Sequence, residues 1–224
     1  MIEITDVSFA YKHAPRPVLH GFSATFAAAT VTALTGANAC GKTTLTKLMV
    51  GIERPTAGSV VVDGTAVAHL SLAEIGRRVG YVHQNAAHQI FCSSVREEMS
   101  YGLRNLGLDD GEMERRIHRS LDYFDLAGHD DDFPLNLSQG ERQRLMLAVI
   151  LSMQPSYVVL DEPTTGLDLV RRQALGAYLR RIADGEGCGV VVVSHERGFV
   201  SRFADVELRM ADPERATSTG CERC

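Results

Sequence analysis

The stretch Val31-Thr32-Ala33-Leu34-Thr35-Gly36-Ala37-Asn38-Ala39-Cys40-Gly41-Lys42-Thr43-Thr44 decides the architecture. An apolar run, residues 31–35, enters a loop of small residues, and residues 44–50 then read as a helix. From Gly36 to Thr43 the loop matches the spacing G-x-x-x-x-G-K-[ST], in the strand-loop-helix context that gives such a match weight. Small residues let successive backbone N–H groups turn inward onto phosphate oxygens, and the helix N-terminus adds a favourable dipole. Lys42 is placed to reach the outer phosphates and the Thr43 hydroxyl to ligate magnesium. The alternative, a plain turn with an exposed lysine, is disfavoured by both spacing and placement.

A second stretch, Val158-Val159-Leu160-Asp161-Glu162, is a buried-type strand ending in two adjacent acids. Such an end is often only a solvated surface acid. Beside a phosphate loop the pair divides the chemistry: Asp161 holds magnesium, and Glu162 polarises an attacking water as general base.

Around these two points the chain alternates in character. Residues 2–26, broken by Pro15 and Pro17, read as antiparallel strands and a turn. Val60-Val61-Val62 before Asp63-Gly64 and residues 79–82 add short strands, and residues 190–193 are another continuous apolar run. Between them residues 94–153 turn helical, with Met113, Ile117, Leu121 and Phe124 on one helix face. Residues 212–224 are polar and expected to fray. The pattern is an α/β core interrupted by a helical insertion, without internal repeats or long linkers.

At 224 residues, with 45% hydrophobic and 23% charged residues, a folded core is expected and disorder excluded. A net charge of -5 offers no global attraction for nucleic acid, and none is expected as partner. The charge-free residues 21–41 are interrupted by Thr25, Thr30, Thr32, Thr35 and Asn38, too polar for a membrane span. The acids Glu3 and Asp6 stand where a signal peptide needs basic residues, so a cytoplasmic chain is expected. Five scattered cysteines, an odd number, suit free thiols.

Joined to these motifs, four further elements in the same order resemble the ATP-binding subunits of ABC transporters. Leu137-Ser138-Gln139-Gly140-Glu141 is similar to the family signature. That resemblance implies that Ser138 and Gly140 bind the γ-phosphate of ATP held by an opposite subunit, in a head-to-tail dimer. Ser138 and Glu141 also have capping-box spacing, which is compatible, since a capped helix N-terminus can take an anion. Gln84 matches the Q-loop glutamine that senses magnesium and water, Gly166-Leu167-Asp168 the D-loop, His195 the switch histidine, and Tyr11 the aromatic ring stacked on adenine.

The resemblance implies an α/β P-loop NTPase core of ABC ATPase type, with an antiparallel β subdomain and an inserted α-helical subdomain. Residues 1–84 and 154–211 form the nucleotide-binding core, 85–153 the helical part and 212–224 a tail. ATP is expected on Tyr11, Gly36, Asn38, Ala39, Cys40, Gly41, Lys42, Thr43 and Thr44, with Ser138, Gly140 and Asp168 completing the opposite site. Mg2+ is expected on Thr43, Gln84 and Asp161, and Glu162, His195, Gln84 and Lys42 form the catalytic set.

Gln89-Ile90-Phe91 and residues 94–107 further resemble the energy-coupling-factor importers of vitamins and transition metals. This implies a transmembrane coupling subunit, a substrate-binding membrane subunit, a second ATPase subunit (identical or paralogous), and a place on the cytoplasmic face of the membrane. An ABC transporter subunit outside that group, or a soluble ABC ATPase, shares the nucleotide motifs and stays open. Three residues depart from the pattern: Ala39 for a glycine, Cys40 for a serine and Gln139 for a glycine. Ala39 is strained if its position needs positive φ, and Cys40, near a lysine, is a candidate redox-sensitive thiol. The chain stops soon after Met210, where many members of that group continue to a dimerisation region, so a different contact is expected. Cys221 and Cys224 have the spacing of half a zinc site, and His129 with Asp130, Asp131 and Asp132 reads as a solvated acidic loop.

Overall fold

Every residue of the two valine-rich runs is buried, which requires a sheet covered on both faces. The computed structural model describes residues 1–12, 14 and 16–211, and the Cys221/Cys224 pair lies outside them. In chain order the strands are β1 (Ile2–Phe9), β2 (Leu19–Phe26), β3 (Val31–Gly36), β4 (Ala57–Val62), β5 (Thr65–Ala66), β6 (Val79–Val82), β7 (Tyr157–Asp161), β8 (Gly189–Val193) and β9 (Val206–Met210). The α-helices are α1 (Lys42–Met49), α2 (Leu72–Arg78), α3 (Val95–Asn105), α4 (Asp110–Tyr123), α5 (Gln139–Ser152), α6 (Leu169–Glu186) and α7 (Arg197–Phe203).

Two sheets result: an antiparallel one ordered β2-β1-β4-β5, and a parallel one ordered β6-β7-β8-β3-β9. The period-two alternation of a strand splits the parallel sheet between two cores. Val158, Leu160, Val190 and Val192 face a core shared with α3 to α6, where Met99, Ile117 and Leu145 are buried. Tyr157, Val159, Val191 and Val193 face the other, with Leu45 and Leu48 of α1 and with Ile2, Ile4, Val60 and Val62 of the antiparallel sheet.

The helical region forms as its pattern predicts. In α4, Met113, Ile117 and Leu121 are buried on one face, and Phe124 is buried at its end. The loop at His129 is tied by a hydrogen bond between the His129 ring and Asp132 at 2.7 Å, and by an ion pair from Arg96 to Asp130 at 2.8 Å. Strand β9 is an edge strand lying against β3, its Val206 and Glu207 exposed and Met210 buried. Among the described residues no helix is long and apolar enough to cross a membrane.

Strands β3, β6, β7 and β8 all run the same way, so their carboxyl ends open on one side. There the chain leaves β3 for the phosphate loop, β6 for Gln84, β7 for Glu162 and β8 for His195. A crevice at the carboxyl ends of parallel strands is where α/β sheets bind ligands.

Candidate active site

The phosphate loop is shaped by three left-handed residues. Gly36 has φ 145, Ala39 φ 63 and Gly41 φ 98. A Cβ on Gly36 would lie 2.7 Å from the Met210 carbonyl oxygen, so that glycine is required twice over. Ala39 does adopt the positive φ, and a Cβ there costs about 1–2 kcal/mol. Gly41 caps α1, whose first turn carries no acid, so the helix dipole is free to meet an anion. Lys42 is only 7% exposed, and its ammonium donates to the carbonyls of Gly36 at 3.0 Å and Ala37 at 2.8 Å, which holds the cation inside the curve of the loop.

Cys40 tucks its thiol beneath the loop, 3.9 Å from Lys42 Nζ and close under Gly36, in the core with Leu34 and Leu45, and is 2% exposed. Its place in the loop is thus held by backbone and packing.

The acid pair ends β7. Asp161 is 1% exposed, and burial pushes its carboxyl above the usual range, opposed by the Thr43 hydroxyl and the charges of His83, Lys42 and Lys47. Its Oδ2 has no hydrogen-bond partner. A buried carboxylate oxygen without a donor, next to a hydroxyl, fits a hard cation that takes oxygen ligands, and Mg2+ suits this donor set.

Glu162 follows in the left-handed region, φ 52, which for a non-glycine residue stores strain at a site. The turn is held by its N–H on the Val193 carbonyl at 3.1 Å. His195 Nε2 comes to 3.1 Å from Glu162 Oε1, close enough for an ion pair but not aligned as a hydrogen bond. Burial pushes the Glu162 carboxyl up, and the His195 charge pulls it down.

These groups converge on one cleft of about 480 Å³. Tyr11, Asn38, Ala39, Gly41, Lys42, Thr43, Thr44, Gln84, Asp161, Glu162 and His195 all line it. Tyr11 is anchored through its hydroxyl, 3.2 Å from Thr44 Oγ1, and by an edge-to-face contact with Phe9. Gly36 and Cys40 stand behind the lining. Ser138, Gly140 and Asp168 lie outside the cleft of their own chain. Ser138 and Asp168 are exposed N-caps of α5 and α6, and the Ser138/Glu141 capping box is formed. Gly140 packs against Gly166, where a Cβ would meet the carbonyl at 3.1 Å, so the signature and D-loop segments touch.

The sequence reading missed Val18 and Val193 as lining residues; neither carries a reactive group that could have drawn notice. It also missed His83, whose charge acts on Asp161. Among the described residues no group of three or more His, Cys, Asp or Glu is placed to hold a metal.

The family model described as ABC transporter matches residues 19–165. An ABC transporter ATP-binding protein of Pyrococcus abyssi is 41% identical over 214 residues, covering 96% of this chain and 81% of that protein. The chain therefore belongs to the ABC transporter family, as an ABC-type ATP hydrolase. Within the family it resembles the energy-coupling-factor group. The energy-coupling factor transporter ATP-binding protein EcfA of Methanothermobacter thermautotrophicus is 38% identical over 207 residues, 92% of this chain and 66% of that protein. The solved structure of cbiO1 from Clostridium perfringens, part of the ABC transporter complex cbiONQ, superposes with a TM-score of 0.80 at 26% identity, covering 93% of this chain and 84% of that one.

Proposed function

We propose that this chain powers uptake through an energy-coupling-factor importer of a vitamin or transition-metal ion, working on the cytoplasmic face of the membrane. The observation that carries the hydrolytic part is the meeting of Lys42, Asp161, Glu162 and His195 in one cleft. Loop N–H groups and Lys42 bind the phosphates of ATP, and Tyr11 offers its ring to the base. Thr43 and Asp161, with Gln84, would hold Mg2+, which when bound neutralises charge on the phosphates. Glu162 takes the proton of the attacking water, and His195 holds that carboxylate and reaches the outer phosphate. Ser138 and Asp168, exposed, and Gly140, half-buried, all outside their own cleft, face the nucleotide of a second ATPase subunit, identical or paralogous.

Support for the importer comes from an apolar groove of about 630 Å³ between the parallel sheet and the helical region. Leu72, Phe91 and Tyr101 line it and are 64%, 65% and 52% exposed, large apolar groups that a monomer leaves in water only at a cost. Gln89, Phe91 and Tyr101, three of the residues of the energy-coupling-factor resemblance, fall there. The groove receives helices of a transmembrane coupling subunit, which in turn joins a substrate-binding membrane subunit. Residues 85–153 act as the lever that carries closure of the ATPase pair to them.

The test is to tag the chain in its native cell, solubilise membranes in mild detergent and identify what copurifies. Two integral membrane proteins are expected, and the substrate-binding one identifies the cargo. A permease pair without a separate substrate-binding membrane protein places the chain with other ABC transporters. Recovery of soluble proteins alone overturns the importer.

A further inference from the structure

Gln84 lines the cleft with an exposed side chain that makes no hydrogen bond to the described residues, so its position has to be set through its backbone. It stands two residues beyond the end of β6, an edge strand whose outer ladder sites face no other strand. Gln89 fills those sites. Its Oε1 accepts the His83 N–H at 2.7 Å and its Nε2 donates to the Tyr81 carbonyl at 2.9 Å. In a strand these two backbone groups point to the same edge, and one amide satisfies both. The orientation of that amide is fixed, because only oxygen can accept from the N–H and only nitrogen can donate to the carbonyl.

The chain between is a short closed loop. Asn85 N–H donates to His83 Nδ1 at 3.0 Å, the Asn85 side chain accepts from Ala87 N–H at 3.2 Å, and Gln89 N–H donates to the Ala86 carbonyl at 3.0 Å. Gln84 is thus the first residue of a loop whose base, at His83, Gln89 clips to the sheet.

We infer that Gln89 is a positioning residue for ATP hydrolysis, acting through Gln84 by fixing the strand end from which Gln84 projects. The inference rests on the role proposed above for Gln84. Without the clip the loop gains freedom, and Gln84 meets magnesium and water in a smaller fraction of bound complexes. The loss falls on turnover, while ATP, held by the phosphate loop, binds as before.

The experiment is a double-mutant cycle on the purified chain with its partners: parent, Gln84→Ala, Gln89→Met and the double variant, each with kcat and KM for ATP. Gln89→Met keeps length and removes both bonds. It is expected to lower kcat about five- to tenfold with KM changed less than about twofold. The double variant is expected to be no slower than Gln84→Ala alone. Parent-like kcat in Gln89→Met, or losses that multiply in the double variant, overturn the inference. Parent-like turnover in Gln84→Ala removes the role of Gln84, and this inference with it, a failure visible in that variant by itself.

Gln89→Glu supplies a second readout should Gln89→Met fail to fold. A carboxylate still accepts from His83 N–H but opposes the Tyr81 carbonyl, whereas the protonated acid donates to it. Its turnover relative to the parent is expected to rise as pH falls from about 8 to about 6. A ratio that is flat or falls overturns the inference.

Discussion

His195 Nε2 stands 3.1 Å from Glu162 Oε1, and neighbouring strands hold the two residues there. In the parallel register of β7 and β8, Asp161 lies beside Val193, so Glu162 and His195 leave the sheet together. The contact links the ionisation of the acid to the charge of the imidazole. Burial raises the proton affinity of Glu162 and the imidazolium lowers it.

Replacing Glu162 by Gln keeps the size of the side chain and removes the base. Turnover is expected to fall by about 10²–10⁴, with ATP affinity retained, since no phosphate contact is lost. Steady-state hydrolysis and equilibrium nucleotide binding check both halves. Near-normal turnover would take Glu162 out of the base role.

The pH profile reads the same pair. Glu162 has to be ionised to accept a proton, and its raised pKa sets the acid limb of kcat above the ordinary carboxylate range. His195→Gln removes the charge that pulls this pKa down, so the limb is expected at higher pH as well as at a lower plateau. A limb that stays in place or moves to lower pH sinks the coupling.

Asp161 offers a stability test. Its carboxyl is raised in the folded state, chiefly by burial. The folded chain therefore holds that proton more tightly than the unfolded one. The stabilising contribution is present at low pH and is lost as pH rises through the folded pKa. At neutral pH without magnesium the site costs stability, and Asp161→Asn is expected to raise Tm by roughly 2–5 °C while abolishing further stabilisation by magnesium with ATP. Thermal melts with and without magnesium decide it; a lowered Tm in the metal-free variant contradicts the assignment.

Local spacing explains why the phosphate loop and the acid pair could be read from the chain alone. Strand, loop and helix are contiguous between Val31 and Val50, and each residue's role follows from its neighbours. Glu162 was legible as chemistry but not as geometry: its positive φ depends on the Val193 carbonyl, thirty-odd positions away along the chain. The Gln89 amide was legible only as part of a resemblance, because its bonds depend on the path of an irregular turn. Strand β9 escaped notice because an edge strand with Glu207 and Arg209 has no continuous apolar run. The groove needs α2, α3 and α5 brought together, which no local pattern encodes.

Ala39 carries a methyl group at φ 63, a strain of about 1–2 kcal/mol. Ala39→Gly relieves it, offset by about 0.4–1 kcal/mol of extra freedom in the unfolded chain. The balance is a small gain, expected as a Tm increase of roughly 1–3 °C. Ala39→Val puts a β-branched residue in the same conformation and is expected to lower both Tm and ATP affinity. Melting curves with and without ATP test the pair, and a Val variant as stable as the parent means that the loop does not hold this φ.

The groove makes the last prediction. Phe91 and Tyr101 meet edge to face, centroids 4.8 Å apart, and both rings stay largely in solvent. An aromatic pair of this kind is a natural anchor for a partner helix, since anchors concentrate binding energy in a few buried rings. Phe91→Glu places a charge where that helix has to shed water. Because Phe91 does not line the nucleotide cleft, Tm and ATP affinity are expected to hold. Recovery of the membrane subunits with the tagged chain is expected to fall at least about tenfold, the order of a lost anchor residue. If the membrane proteins still copurify at the parent's level, the coupling subunit docks elsewhere, and the exposure of Phe91 and Tyr101 then needs a different occupant.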